Sequence, residues 1–188
     1  GCASFKSVGD GRERDIFLIA FDPSRKVFLS KDICEQQNLL KNHGTVLFDS
    51  LSRSQYGDVG RLFESGGKVR TEIAGEKSDI VGLIEIGPTF AADGNVLMSL
   101  ATLEKFWHSP SGVSDVGVLK LREGANPDEV AESLKKIFPQ SVKVMTKDEF
   151  VKSEKAYWGK RTPIGFVIGA SMAVAIFVGA VIVYQILY

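Results

Sequence analysis

Every charged residue of this chain lies before Thr162, and the stretch from there to Tyr188 carries none. The run from Ile164 to Tyr188 reads IGFVIGASMAVAIFVGAVIVYQILY, and its clearly polar members are Ser171 and Gln185. At about 1.5 Å per residue, a helix of that length reaches roughly 37 Å, enough to cross a hydrocarbon core of about 30 Å with some tilt. A water-soluble domain of this size rarely encloses a helix that is apolar on every face. The run therefore predicts a transmembrane helix over 162–188, preceded by a folded domain over 1–161. A signal peptide has a shorter apolar core at the other end of a chain. A cleaved lipid-anchor signal needs a longer polar spacer than Lys160-Arg161-Thr162-Pro163. With no initiator Met before Gly1, and no loop after the span, the 188 residues read as a piece of a larger membrane protein.

The domain before the span is neither acidic nor basic. The chain has 23 Lys+Arg against 23 Asp+Glu, so it exerts no general attraction on nucleic acid. Two cysteines, Cys2 and Cys34, cannot form a four-thiolate zinc site or a dense disulfide framework; whether they pair is open. His43 and His108 stand far apart without ligand-type neighbours, so no metal site is expected.

Hydrophobic patterning predicts an α+β domain of mixed strands and short helices. Cys2 to Ser7 and Asp15 to Phe21 flank the turn-forming Asp10-Gly11 as a hairpin. Ile16 to Phe21 is apolar without alternation, as in a strand covered on both faces. Ser30 to Leu40 has the spacing of a short helix, and Thr45 to Phe48 that of a brief strand. Val69 to Ile73 and Asp79 to Ile86 make a second hairpin around Gly75-Glu76-Lys77. Asn95 to Met98 is a strand and Leu100 to Trp107 a helix. Val116 to Leu121, a helix from Pro127 to Phe138, and Val142 to Met145 together suggest one βαβ unit. Asn126 can cap that helix, and Val130, Leu134, Ile137 and Phe138 give it one apolar stripe. Thr146-Lys147-Asp148-Glu149 has the form of a capping box that starts a last helix, through Phe150, Tyr157 and Trp158, pointing into the span.

Tyr157 and Trp158 before the span, and Tyr184 and Tyr188 at its far end, are candidate membrane-interface anchors, because amphipathic rings favour the headgroup zone. Tyr157 and Trp158 equally suit the base of the folded domain. Pro163 fits either the first turn of the span or a joint ahead of it. Gly165, Gly169 and Ala173 recur every four residues, a smooth face on which a second helix could pack closely, with Gly179 and Ala180 as a further small patch. A lone anchor needs no such face, which favours a protein with several spans. Lys152, Lys155, Lys160 and Arg161 would place their side in the cytoplasm by the positive-inside rule, but that rule weakens beside a long folded domain.

Catalytic signals are absent from the pattern. The glycines around Gly57-Asp58-Val59-Gly60 and Gly66-Gly67-Lys68 lack phosphate-loop spacing, and no G-x-S-x-G elbow occurs. Asp93, in an Asp-Gly turn, is the one attractive acid. No catalytic residue and no cofactor are expected.

Several blocks together resemble a family. Thr162-Pro163-Ile164-Gly165-Phe166, leading to Val181 through Tyr188, is similar to the second membrane helix of DevC-type permeases, the cyanobacterial branch of the MacB/FtsX-like ABC transporters. Thr45-Val46-Leu47-Phe48-Asp49, Phe90-Ala91-Ala92-Asp93-Gly94-Asn95, Thr146-Lys147-Asp148-Glu149-Phe150 and Tyr157-Trp158 extend the likeness in order and spacing over nearly the whole chain. The resemblance implies a four-span permease subunit of the bacterial inner membrane, its MacB-like core domain on the periplasmic side, containing a porter-like βαβ part and a strand-rich inserted part. It implies as partners a separate ABC ATPase, a periplasmic adaptor, a second permease copy and the lipid bilayer. The implied activity is mechanical: ATP-driven movement passed outward to export a lipid-like cargo, a glycolipid in the related proteins. A single-span, membrane-anchored binding or receptor domain is the alternative.

Overall fold

The structure is a computed structural model and describes residues 1–89, 92–107, 114–160 and 163–187. Two compact units divide it, Gly1–Val118 and Leu119–Tyr188.

The first unit is a closed six-stranded barrel. Its strands are β1 (Cys2–Lys6), β2 (Glu13–Phe21), β3 (Thr45–Asp49), β4 (Val69–Ile73), β5 (Glu76–Ile84) and β6 (Asn95–Ser99). Around the barrel they run β1-β2-β6-β3-β5-β4. The β2/β6 and β3/β5 pairs are parallel and the other four are antiparallel. Closure pairs every strand on both sides, which leaves no sheet edge free to recruit another chain. Both expected hairpins form. In the first, Gly11 takes φ 68°, and Asp10 accepts a hydrogen bond from the Arg12 N–H at 3.1 Å. The second turns at Ala74-Gly75, one residue before the expected position, with Ile73 facing Glu76. Both turn residues have positive φ, matching the twist of the strands they join.

Strand periodicity divides the apolar side chains between two cores. Phe5, Ile16, Leu18, Val46, Phe48, Ile73, Ile80, Val96 and Met98 belong to one. Phe21, Leu47, Ile84 and Leu97 form the second beneath Ile33 of helix α1 (Lys31–Gln36) and Leu40 of the 3-10 turn that follows. All five residues of β3 and all five of β6 are consequently buried. A bulge at Val46/Leu47 advances β5 by one residue. Opposite it, a Cβ on Gly82 would lie 2.8 Å from Leu47 Cδ2 and collide with the Gln36 side chain, whose Nε2 donates to the Leu83 carbonyl at 2.7 Å. Glycine is the residue that lets α1 sit this close.

Helix α2 (Val59–Glu64), which the sequence reading did not foresee, starts at Asp58, whose carboxylate accepts from the Arg61 N–H at 3.4 Å. Helix α3 (Leu100–Trp107) follows β6 directly.

The second unit contains α4 (Pro127–Ile137), α5 (Lys147–Lys160) and α6 (Pro163–Leu187). Caps at the starts of α4 and α5 match the sequence. Asn126 Oδ1 accepts from the Asp128 N–H at 3.0 Å. The Thr146 N–H donates to Glu149 Oε2 at 3.0 Å, and the Glu149 N–H donates to Thr146 Oγ1 at 3.3 Å.

The expected βαβ unit is present only as its helix. Segments 116–121 and 142–145 contain no strand and pair with none. A strand exists through its partner's hydrogen bonds, and every described strand is already committed within the barrel. The apolar stripe of α4 is correspondingly uncovered: Val130 and Leu134 are half-buried, while Ile137 and Phe138 are exposed. The fold is therefore mixed α and β, built on a six-stranded barrel with six α-helices among the described residues, the last of them uniformly apolar.

Candidate functional site

The residues singled out in the sequence lie on α5 and α6. Helix α6 contains a 23-residue stretch, Gly165–Leu187, long and apolar enough to cross a membrane, and its most apolar window is wholly unburied. Large side chains such as Phe166, Ile168, Met172, Ile176, Phe177 and Ile186 project from all round it. In water such a helix would forfeit about 1.5–3 kcal/mol for each exposed large apolar side chain. In hydrocarbon that cost vanishes, and every interior backbone group is satisfied within the helix.

One face of α6 is built from small residues. At about 100° per residue, Gly165, Gly169 and Ala173 fall within an arc of about 80°. Gly169 has open space where a Cβ would stand. A shallow groove runs along α6 past Ala170, Val174, Val178 and Ile182, with Ser171, Ala175 and Gly179 beside them. Of the further small patch expected at Gly179 and Ala180, Gly179 lines that groove.

Gly165 has a neighbour within its own chain. A Cβ there would stand 2.8 Å from the carbonyl carbon of Gly159 and 3.3 Å from its Cα, and would collide with the Gly159 carbonyl oxygen. In one straight helix, residues six apart are separated by about 9 Å along the axis. Helix α5 ends at Lys160 and α6 begins at Pro163, and the two residues between them lie outside the described residues. In a continuous helix the N–H of residue 163 would pair with the carbonyl of residue 159, but proline has no N–H and its ring crowds that carbonyl. Sequence reasoning recognised Pro163 as a candidate joint but missed Gly159, whose spacing of four from the proline was the available signal.

Of the four aromatic anchors, Tyr157 and Trp158 lie side by side on α5 with rings perpendicular and centroids 5.6 Å apart. Both are exposed, and Trp158 Nε1 donates to Glu154 Oε2 at 3.3 Å, one turn earlier. Tyr184 is exposed near the end of α6. Tyr188 lies outside the described residues. Lys135 of α4 approaches Glu149 of α5 at 4.0 Å.

The barrel holds one polar centre that the sequence did not announce. Asp49 ends β3 fully buried. Its Oδ1 accepts from the Leu51 N–H at 3.2 Å and the Ile86 N–H at 3.0 Å. Its Oδ2 accepts from the Gly87 N–H at 2.9 Å and from Asn95 Nδ2 at 2.7 Å. Asn95 Nδ2 also donates to the Gly87 carbonyl at 2.9 Å. With all four positions around the carboxylate occupied, Asp49 ties two loops to β6, leaving no approach for a substrate. Nearby, Asp93 is bound by Arg53 at 2.9 Å and by Gln55 Nε2 at 3.0 Å, a loop clasp rather than a free acid. The Tyr56 hydroxyl, inside the barrel, donates to the Asp15 carbonyl at 2.5 Å. Its ring stands edge-on to Phe5, 5.5 Å between centroids. Burial raises the Tyr56 pKa above its ordinary value.

Cys2 and Cys34 are both free thiols, Cys2 exposed on β1. Among the described residues, no three His, Cys, Asp or Glu side chains gather in a way that would hold a metal ion. No protein-family model matches the chain, and comparisons with curated proteins and with solved structures return no match.

Proposed function

We propose that the chain is part of the permease subunit of an ABC exporter, with the barrel on the periplasmic side of the inner membrane and α6 as one of several spans. The observation that carries this reading is α6: an uncharged helix of membrane length, preceded by a capped juxtamembrane helix. The small-residue face of Gly165, Gly169 and Ala173 on α6 supports a place among other helices, since close helix packing in lipid depends on such residues. The quoted sequence blocks that resemble DevC-type permeases supply the rest: a separate ATPase as engine, a periplasmic adaptor as receiver, a second permease copy, and a lipid-like cargo. In this reading the chain is non-catalytic and passes movement outward.

The test is copurification of the intact parent protein from its native membrane. An ABC ATPase and a periplasmic adaptor should copurify with it, and replacing the barrel by a flexible linker should keep the ATPase while abolishing cargo export. Recovery of the parent without an ATPase would defeat the proposal and favour a single-span, membrane-anchored binding domain. That alternative draws on the presence of one membrane-length helix among the described residues.

A further inference from the structure

The apolar stripe of α4 is covered unevenly along its length. Ala131 is 5% exposed, Leu134 one turn on is half-buried, and Ile137 and Phe138 at the C-terminal end are 75% and 44% exposed. Val142 follows at 46%, its N–H closing a turn on the Pro139 carbonyl at 2.9 Å. Charge is graded in the same direction. The acids of α4, Asp128, Glu129 and Glu132, all precede Ser133, and from there to Lys147 the chain has four lysines and no acid. Lys135 is engaged by Glu132 at 2.8 Å. Lys136 and Lys143 are exposed and form no ion pair among the described residues.

From this coincidence of bare apolar side chains and unengaged lysines we infer that the tip at residues 136–143 docks on an anionic phospholipid surface. Ile137, Phe138 and Val142 enter the boundary between headgroups and acyl chains, and Lys136 and Lys143 meet lipid phosphates. Lysine suits that place because its long apolar stem lets the ammonium stay at headgroup level while neighbouring side chains sink deeper. The negative potential of such a surface attracts a cluster of cations, whereas lysine is depleted from the buried centres of protein–protein interfaces. Reach is assured by the chain itself. Between the tip and α6 lies little more than α5, whose 14 residues measure about 21 Å at about 1.5 Å per residue. A tip tethered this closely to the bilayer that α6 crosses needs only a weak attraction to rest on it. The inference stands on the membrane span and not on the exporter reading, so the two can fail separately.

The experiment places an environment-sensitive fluorophore on Gln140→Cys, in a Cys2→Ser, Cys34→Ser background of the full chain. The protein is reconstituted in vesicles of phosphatidylcholine alone and of phosphatidylcholine mixed with phosphatidylglycerol. In the mixture the emission should shift to the blue and acrylamide quenching should fall; phosphatidylcholine alone, or high salt, should weaken both effects. Lys136→Glu with Lys143→Glu should abolish the difference between the two lipids. Ile137→Ser with Phe138→Ser should return the emission to its value in water in both. All the replaced side chains of the tip are exposed, so the fold does not depend on them. Water-like emission in both lipids, or equal shifts in both, would overturn the inference. So would a shift that fades as the protein is diluted in lipid, which marks contact between copies, or shielding seen only in native membranes, which marks a protein partner.

Discussion

A buried carboxylate is tolerated only when its oxygens are matched by donors, and Asp49 is matched by three backbone N–H groups and the Asn95 amide. Asp49→Ala removes all four acceptor contacts while the donors stay near the barrel end. We expect a loss of roughly 3 kcal/mol or more, read as a lower denaturation midpoint with little change in slope. Tyr56 acts at the same scale through titration. Because burial raises its pKa, the unfolded chain releases the phenolic proton first as pH rises, and the folded state binds more protons. Its contribution is therefore complete below about pH 10, the ordinary tyrosine value, and declines as pH rises toward the raised folded value. Thermal melts should show this alkaline loss, and Tyr56→Phe should reduce it while costing about 1 kcal/mol at neutral pH for the lost hydrogen bond. Neither residue was legible as a keystone. Thr45-Val46-Leu47-Phe48-Asp49 reads as a strand ending in a turn residue, and only the register beside β6 brings Asn95 to that carboxylate.

Elements with a local cause were legible, and those with a distant cause were not. The caps at Asn126 and Thr146, the Gly11 turn and the uniform apolarity of α6 each depend on residues within one or two turns, and each forms. The segments 116–121 and 142–145 have strand-like composition, yet strand formation requires a partner and none of the barrel strands is free. Helix α2 was missed because its short run, Val59–Glu64, is held by the Asp58 cap and by Val59 buried in the barrel core, with too few turns to show a periodicity. The barrel's closure was also out of reach. Period-two patterning reveals which residues face inward along a strand, but not that β2 will lie parallel to β6 across more than 70 residues of chain. At the α5–α6 junction the sequence left a choice between first turn and joint. Helix α6 begins at Pro163, which is the first-turn position.

For the whole molecule, two environments are written into one chain. The barrel pairs all its strands within itself and gathers its large apolar side chains into two cores, whereas α6, with none of its most apolar window buried, needs either lipid or other helices around it. The account stands on placing α6 in the bilayer with the barrel on the outer side. Cys2 offers the most direct test, being a free, exposed thiol on the barrel. In a Cys34→Ser version of the parent protein cleared of other cysteines, a membrane-impermeant maleimide is applied to intact, right-side-out spheroplasts. The account predicts labelling of Cys2 at full extent before the membrane is broken, with the protein retained in the membrane fraction after alkaline washing. Labelling only after permeabilisation, or release of the protein by the wash, would contradict it.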